Sequence, residues 1–153
     1  MSDNIPTDEQ IMAASEEELD VMAAVMMGWQ RFDTRPSHWC RTCAITNLLT
    51  GETTQPSGGP WWLPPGVDVN ATDGGCELPH PSTDIAAAMR LVEETDHPAL
   101  IGYKWDAGYS ELEPQFCTIA LPYSKQVTAC AATVALAITR AAVLAWAAQE
   151  RAK

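Results

Sequence analysis

Hydrophobic side chains recur every three or four residues in three stretches of this chain, the spacing that places them on one face of a helix. The stretches predict helices over about 16–30, 81–95 and 129–149. The repeating positions are Leu19, Met22, Ala23, Met26 and Trp29 in the first, Ile85, Ala88, Met89 and Val92 in the second, and Val134, Ala137, Ile138, Ala141, Leu144 and Ala145 in the third. Each helix is expected to bury that face.

The first two helices also carry start signals. Ser15 and Glu18 form a Ser-x-x-Glu capping box, in which each side chain satisfies a free backbone amide of the other residue. Ser82 or Thr83 can cap the second helix, and Asp84 then lies in its positively polarised first turn.

The remaining pattern predicts a small sheet. Residues 99–105 and 115–121 are typical of two strands of an antiparallel hairpin. Between 32 and 81 the pattern is irregular, with a strand-like run at 43–49 and a proline-flanked pair of indoles, of which we expect at least one to be buried. The order of elements predicts an α+β fold, a small antiparallel sheet layered with three helices as an α/β/α sandwich.

The length of 153 residues fits one domain, and the charge is unevenly distributed. Seven acids and no Lys or Arg occur in the first twenty residues, which leaves 13 acids against 9 bases for the rest of a chain of net charge -11. We therefore predict a flexible acidic tail over 1–14 and a single domain over 15–153. Without a Lys/Arg cluster, direct nucleic-acid binding is not expected.

The sequence favours a cytoplasmic protein that does not contact a membrane. Its N-terminus lacks the basic region and apolar run of a signal peptide. The alanine-rich stretch 129–148 is interrupted by Arg140, so we interpret it as a buried helix and not as a membrane span.

Three segments together resemble the phage ABA sandwich domain, a family of small bacteriophage and prophage proteins. They are 19–29 (Leu-Asp-Val-Met through Met-Gly-Trp), 78–88 (Leu-Pro-His-Pro-Ser-Thr-Asp-Ile-Ala-Ala-Ala) and 133–142 (Thr-Val-Ala-Leu-Ala-Ile-Thr-Arg-Ala-Ala). The resemblance implies an α/β/α layered fold and an accessory role in an infected cell, but no particular reaction. The chain departs from the family at Met89, where Trp is frequent, and in a cysteine-containing insertion at 36–77.

Two pairs of residues could hold one structural zinc ion. Cys40 and Cys43 form a Cys-x-x-Cys pair, and Cys76 and His80 form a Cys-x-x-x-His pair further along the chain. Two such pairs could supply the four ligands of a tetrahedral zinc ion and so hold together a loop that lacks regular structure. Reduced cysteines without metal remain the alternative, and His38 could replace His80 as a ligand.

The other chemical candidates are less specific. Cys117 and Cys130 are expected to be unpaired, in a strand and at a helix start, because a cytoplasmic setting disfavours disulfides. A nucleophile, Cys76 or Ser82, could combine with His80 and Asp84, but closeness in sequence does not fix the geometry that catalysis requires.

A binding site is a further hypothesis. The start of the second helix could receive an anion, and nearby aromatic side chains could line a pocket for a nucleotide-like molecule. The candidate ligand- or partner-binding residues are Trp61, Trp62, Ser82, Thr83, Tyr103 and Trp105.

From these features we expect a non-catalytic phage accessory protein that contacts a host or phage protein in the host cytoplasm, in host takeover or counter-defence. The alternatives are a protein that sequesters a small anionic ligand and a small hydrolase or transferase. Self-association of the chain into a homo-oligomer is a further alternative.

Overall fold

The computed structural model describes residues 5–39, 45–47, 53–54, 60–72, 74–103 and 112–153. It has a mixed α+β fold, which confirms the fold class predicted from the sequence. The contacts divide the chain into two compact units: unit 1 comprises residues 1–23 and 80–153, and unit 2 comprises residues 24–79. In the part of the chain that is described, no helix has both the length and the apolar character needed to cross a bilayer.

The described residues form four α-helices and eight strands. The helices are α1 (Asp8–Ala13), α2 (Glu16–Met26), α3 (Ile85–Thr95) and α4 (Val134–Arg151). The strands are β1 (Gln30–Phe32), β2 (Ile45–Asn47), β3 (Thr53–Thr54), β4 (Trp61–Leu63), β5 (Cys76–Glu77), β6 (Ala99–Tyr103), β7 (Gln115–Ala120) and β8 (Gln126–Ala131).

In unit 1, α4 packs on an antiparallel sheet of strand order β6-β7-β8, and both α3 and α1 pack against α4. The face predicted for α4 is confirmed, because Ala137, Ile138, Ala141 and Ala145 have no exposed surface and Leu144 is 6% exposed. Alanine keeps the helix intact and lets its neighbours approach closely. On the sheet side, Cys117, Ile119, Ala129 and Ala131 are buried.

Helix α3 departs from the predicted capping and burial. Asp84 is the N-cap, where Ser82 or Thr83 was predicted, and its carboxylate accepts the amide of Ala86 at 2.8 Å. The buried face is also rotated, since Ile85 is 54% and Met89 42% exposed. The buried residues of α3 are Ala87, Ala88, Leu91 and Thr95. Two alanines, one leucine and one threonine therefore form the buried face of α3, and the bulky side chains of Ile85 and Met89 are exposed.

The N-terminal segment contains a helix within the residues predicted to form a flexible tail. Thr7 and Gln10 form a capping box at the start of α1, and Ile11 is completely buried. The pattern Thr7-x-x-Gln10 is a start signal that the acidic composition obscured. The predicted Ser15–Glu18 box is confirmed, with Ser15 N–H donating to Glu18 at 2.8 Å and Glu18 N–H to Ser15 at 3.2 Å.

Strand β8 occupies residues in which the sequence predicted the beginning of the last helix. The helix begins only at Val134, where the Thr133 side chain accepts the amide of Leu136 at 3.2 Å. Cys130 consequently lies in a strand, not at a helix start, while Cys117 lies in β7 as predicted. Burial raises the pKa of the Cys117 thiol to about 11.

Unit 2 contains a mixed sheet of order β1-β4-β5-β2-β3, in which β2 and β5 run parallel and the other neighbours antiparallel. It forms within the segment that the sequence left irregular. Trp61 and Trp62 lie in β4, and the predicted burial of one indole is confirmed by Trp62, which is 5% exposed.

Candidate functional site

Asp20 lies at the centre of a polar cluster in unit 1. Its side chain is 7% exposed. One carboxylate oxygen accepts the backbone N–H of Ser82 at 2.8 Å, and the other lies 3.2 Å from Nδ1 of His80. A buried carboxylate with two polar partners fixes the turn that precedes α3 to helix α2.

The turn at 80–84 is held by its own backbone as well. The carbonyl of His80 accepts the amides of Thr83 at 3.1 Å and Asp84 at 2.8 Å. The hydroxyl of Thr83 also donates to this carbonyl at 3.4 Å. Asp84 then caps α3, so the start of this helix and the position of His80 are determined together.

An imidazole oriented by a buried carboxylate is an arrangement that general bases use. The orienting carboxylate is that of Asp20, where the sequence had suggested Asp84, which is engaged as the helix cap. Ser82 is only 1% exposed, and its hydroxyl has no hydrogen-bond partner among the described residues. A substrate cannot reach that hydroxyl without a rearrangement, so the geometry favours a structural role for the cluster.

The predicted zinc site is placed only in part. Cys76 lies in β5 of unit 2, where burial raises the pKa of its thiol, and His80 belongs to unit 1. Cys40 and Cys43 lie outside the described residues. Within the described ranges, no three His, Cys, Asp or Glu side chains are grouped closely enough to hold a metal ion. Zinc binding therefore stays a prediction.

His38, the alternative ligand, has one ring nitrogen engaged in unit 2. Its Nε2 lies 2.7 Å from the carbonyl of Val69, which also accepts the indole N–H of Trp39 at 3.3 Å. A histidine that binds a metal through one nitrogen commonly donates its other N–H to a carbonyl. In a metal site, Nδ1 of His38 would therefore be the ligating atom.

The aromatic candidates are distributed over both units. In unit 2, the guanidinium of Arg31 lies 5.8 Å from the ring centroid of Trp62, and Trp61 is half-buried. Tyr103 ends strand β6 of unit 1, and Trp105 lies outside the described residues. The predicted pocket that would combine them with Ser82 and Thr83 stays a prediction.

A surface feature that the sequence did not indicate is the loop between β7 and β8, Pro122–Ser124. Tyr123 and Ser124 both adopt left-handed backbone angles, with φ of 62° and 59°. For residues other than glycine, this conformation is less stable by roughly 1–2 kcal/mol per residue. Tyr123 is also 95% exposed, so its side chain gains no packing within the described residues, and the turn is held by the hairpin backbone, where Leu121 N–H donates to the carbonyl of Lys125 at 2.8 Å.

Comparison with known proteins gives one structural likeness to report. The fold is similar to that of a phage protein from Bacillus cereus ATCC 14579, known from a 2.0 Å crystal structure. The TM-score is 0.50 and the sequence identity 12%, over 87% of this chain and 88% of that one. No protein-family model matches the chain, and no curated protein matches it in sequence. At this identity the likeness concerns the fold alone.

Proposed function

We propose that this chain is a bacteriophage accessory protein of the phage ABA sandwich family, acting as a non-catalytic binding module in the host cytoplasm. Two observations support the phage origin. The sequence segments at 19–29, 78–88 and 133–142 resemble that family. The fold is similar to that of a phage protein along nearly the whole length of both chains.

The observation that carries the binding role is the exposed Tyr123. Tyrosine brings a large, rigid contact surface with a hydroxyl, and such side chains are frequent among the residues that dominate protein interfaces. Positive φ at two successive residues is the backbone of a tight hairpin turn, and here it leaves the Tyr123 side chain exposed beyond the last strand pair. We therefore infer that the loop Pro122–Ser124 contacts a host or phage protein.

Neither alternative function gains comparable support. Two of the first three amides of α3, those of Ala86 and Ala87, are already paired with the Asp84 carboxylate at 2.8 and 3.5 Å. The negative charge of Asp84 opposes the binding of an anion at the same place. A hydrolase or transferase would need an accessible nucleophile beside His80, and the hydroxyl of Ser82 is buried.

A quantitative pull-down tests the proposal. Tagged wild-type protein, Tyr123→Asn and Ile85→Gln are incubated with lysates of infected and uninfected bacteria, and retained proteins are quantified by mass spectrometry. Ile85 is the matched control, because it is an exposed apolar residue on α3 outside the loop. We expect specific proteins to be retained by wild type and Ile85→Gln and to be depleted about tenfold or more with Tyr123→Asn. Equal retention by all three variants, or no specific retention, would contradict the proposal.

A further inference from the structure

The free edge of strand β8 carries backbone N–H and C=O groups that can form hydrogen bonds to another strand. The amide of Leu121 donates to the carbonyl of Lys125 at 2.8 Å, so the pair 121/125 is hydrogen-bonded. Bonded and non-bonded pairs alternate along antiparallel strands. By the register of β7 and β8, the backbone groups of Val127, Ala129 and Ala131 therefore point to β7. Those of Gln126, Thr128 and Cys130 point away from the sheet.

Two independent contacts agree with this assignment. Ala120, opposite Gln126, donates its amide to Pro98 at 3.0 Å on the other side of β7. The carbonyl of Cys130 accepts a hydrogen bond from Nη1 of Arg140 at 2.9 Å, from outside the strand pair.

The outward backbone groups of Gln126 and Thr128 have no partner among the described residues. Both residues are exposed, and the strand between Lys125 and Ala131 contains no charge and no proline. Natural proteins commonly protect such an edge with charges, proline or a covering segment. Arg140 occupies the carbonyl of Cys130, so the two residues of the strand with both outward groups, N–H and C=O, still unpaired are Gln126 and Thr128.

We propose that this edge pairs with β8 of a second copy of the chain, antiparallel, with a two-fold axis at Val127. The free groups are symmetric about that residue: Gln126 of each copy faces Thr128 of the other, which completes four hydrogen bonds. An isologous contact requires a self-complementary patch of this kind. With the axis at Val127, every outward group of Gln126 and Thr128 is paired, and the carbonyl of Cys130 keeps its bond to Arg140.

The side chains at the axis are compatible with the contact. Val127 is half-buried and would face its symmetry mate as a non-hydrogen-bonded pair, in which β-branched side chains contact each other across the strands. In this register Lys125 faces Ala129 of the other copy, and Glu113 is already paired with Arg140 at 3.1 Å, so the contact rests on backbone hydrogen bonds and not on charge pairs. The pairing is small, so we expect weak association that appears only at high protein concentration.

The experiment contrasts two substitutions of one residue. Thr128→Pro removes the outward N–H, which the strand ladder does not use, and an edge strand tolerates proline there. Thr128→Ala keeps the N–H and removes the same hydroxyl, including its 2.8 Å contact with Thr118. Analytical ultracentrifugation from low micromolar to near-millimolar protein should show wild type and Thr128→Ala shifting from 16.6 kDa to twice that mass. For Thr128→Pro the loss of two of the four hydrogen bonds should weaken dimerisation about tenfold or more.

A cross-linking variant keeps the proposal testable if Thr128→Pro fails to fold. Val127→Cys places two thiols opposite each other at the axis, within the Cα separation that a disulfide spans. Mild oxidation should give a 127–127 disulfide, identified by peptide mass spectrometry, while the control Ala120→Cys, exposed but on the central strand β7, should give none. A wild-type protein that stays monomeric, a dimer insensitive to a folded Thr128→Pro, or the absence of the 127–127 link would overturn the proposal.

Discussion

The structural role of Asp20 leads to a large expected loss of stability on Asp20→Ala. The substitution leaves the amide of Ser82 buried without its 2.8 Å acceptor and removes a charge-assisted hydrogen bond. Such bonds contribute about 1.5–3 kcal/mol, and an orphaned buried donor costs about 1–3 kcal/mol. The imidazole of His80 is 52% exposed, so its contact with the carboxylate adds little. Together these effects give a loss of about 3 kcal/mol in the free energy of unfolding.

Urea denaturation followed by circular dichroism measures this loss, with Asp20→Asn and His80→Ala as controls. The Asn side-chain oxygen can still accept the amide of Ser82, so Asp20→Asn should lose about half as much. His80→Ala should lose less than half as much as Asp20→Ala, because half of that side chain is exposed. The structural interpretation is refuted if Asp20→Ala costs under about 1 kcal/mol, or if His80→Ala costs as much as Asp20→Ala.

Three further predictions concern other parts of the chain. Gly102→Ala should lower stability by about 1–3 kcal/mol, because the added Cβ would lie 2.7 Å from Cε1 of Phe116; a thermal melt with no decrease would contradict this. Tyr123→Asn should raise stability by about 0.5–1 kcal/mol in the same assay, since Asn tolerates the left-handed conformation; a lower melting temperature would refute it. If Cys40, Cys43, Cys76 and His80 hold zinc, metal analysis should find about one zinc per chain, lost in Cys76→Ser, and a metal-free wild type would remove the zinc hypothesis.

Local signals in the sequence predicted the parts of the fold that depend on neighbouring residues. The capping box at Ser15 and Glu18 forms because both partners lie within one helical turn. The buried stripe of α4 is present because its repeat is long and regular. The strands β6 and β7 lie where β-branched and aromatic residues cluster.

The parts of the fold that depend on contacts between distant residues could not be predicted from local sequence signals. Asp20 contacts Ser82, 62 positions away, and no pattern in the sequence marks that pair. Helix α3 carries two overlapping apolar stripes, and its alanine-rich partner α4 selects the one with the smaller side chains. Strand β8 was missed because alanine at 129 and 131 fits a buried strand as well as a helix.

Both binding proposals involve the same hairpin, and this gives a test that joins them. In the proposed dimer, Tyr123 of one copy lies level with Ala131 of the other, so the two Tyr123 loops are eight residues apart along the paired strands, about 27 Å. Such a dimer presents two contact loops, and linked contacts bind more tightly than either alone.

Thr128→Pro should therefore reduce the lysate protein that is retained at high bait concentration, although the Tyr123 loop itself is unchanged. Thr128→Ala is the control and should retain as much as wild type. If the dimer is lost but retention is unchanged, the loop binds its partner as a monomer, and the two surfaces act independently. If only Tyr123→Asn loses retention, the conclusion is the same: the loop contacts the partner protein, and pairing through β8 does not contribute.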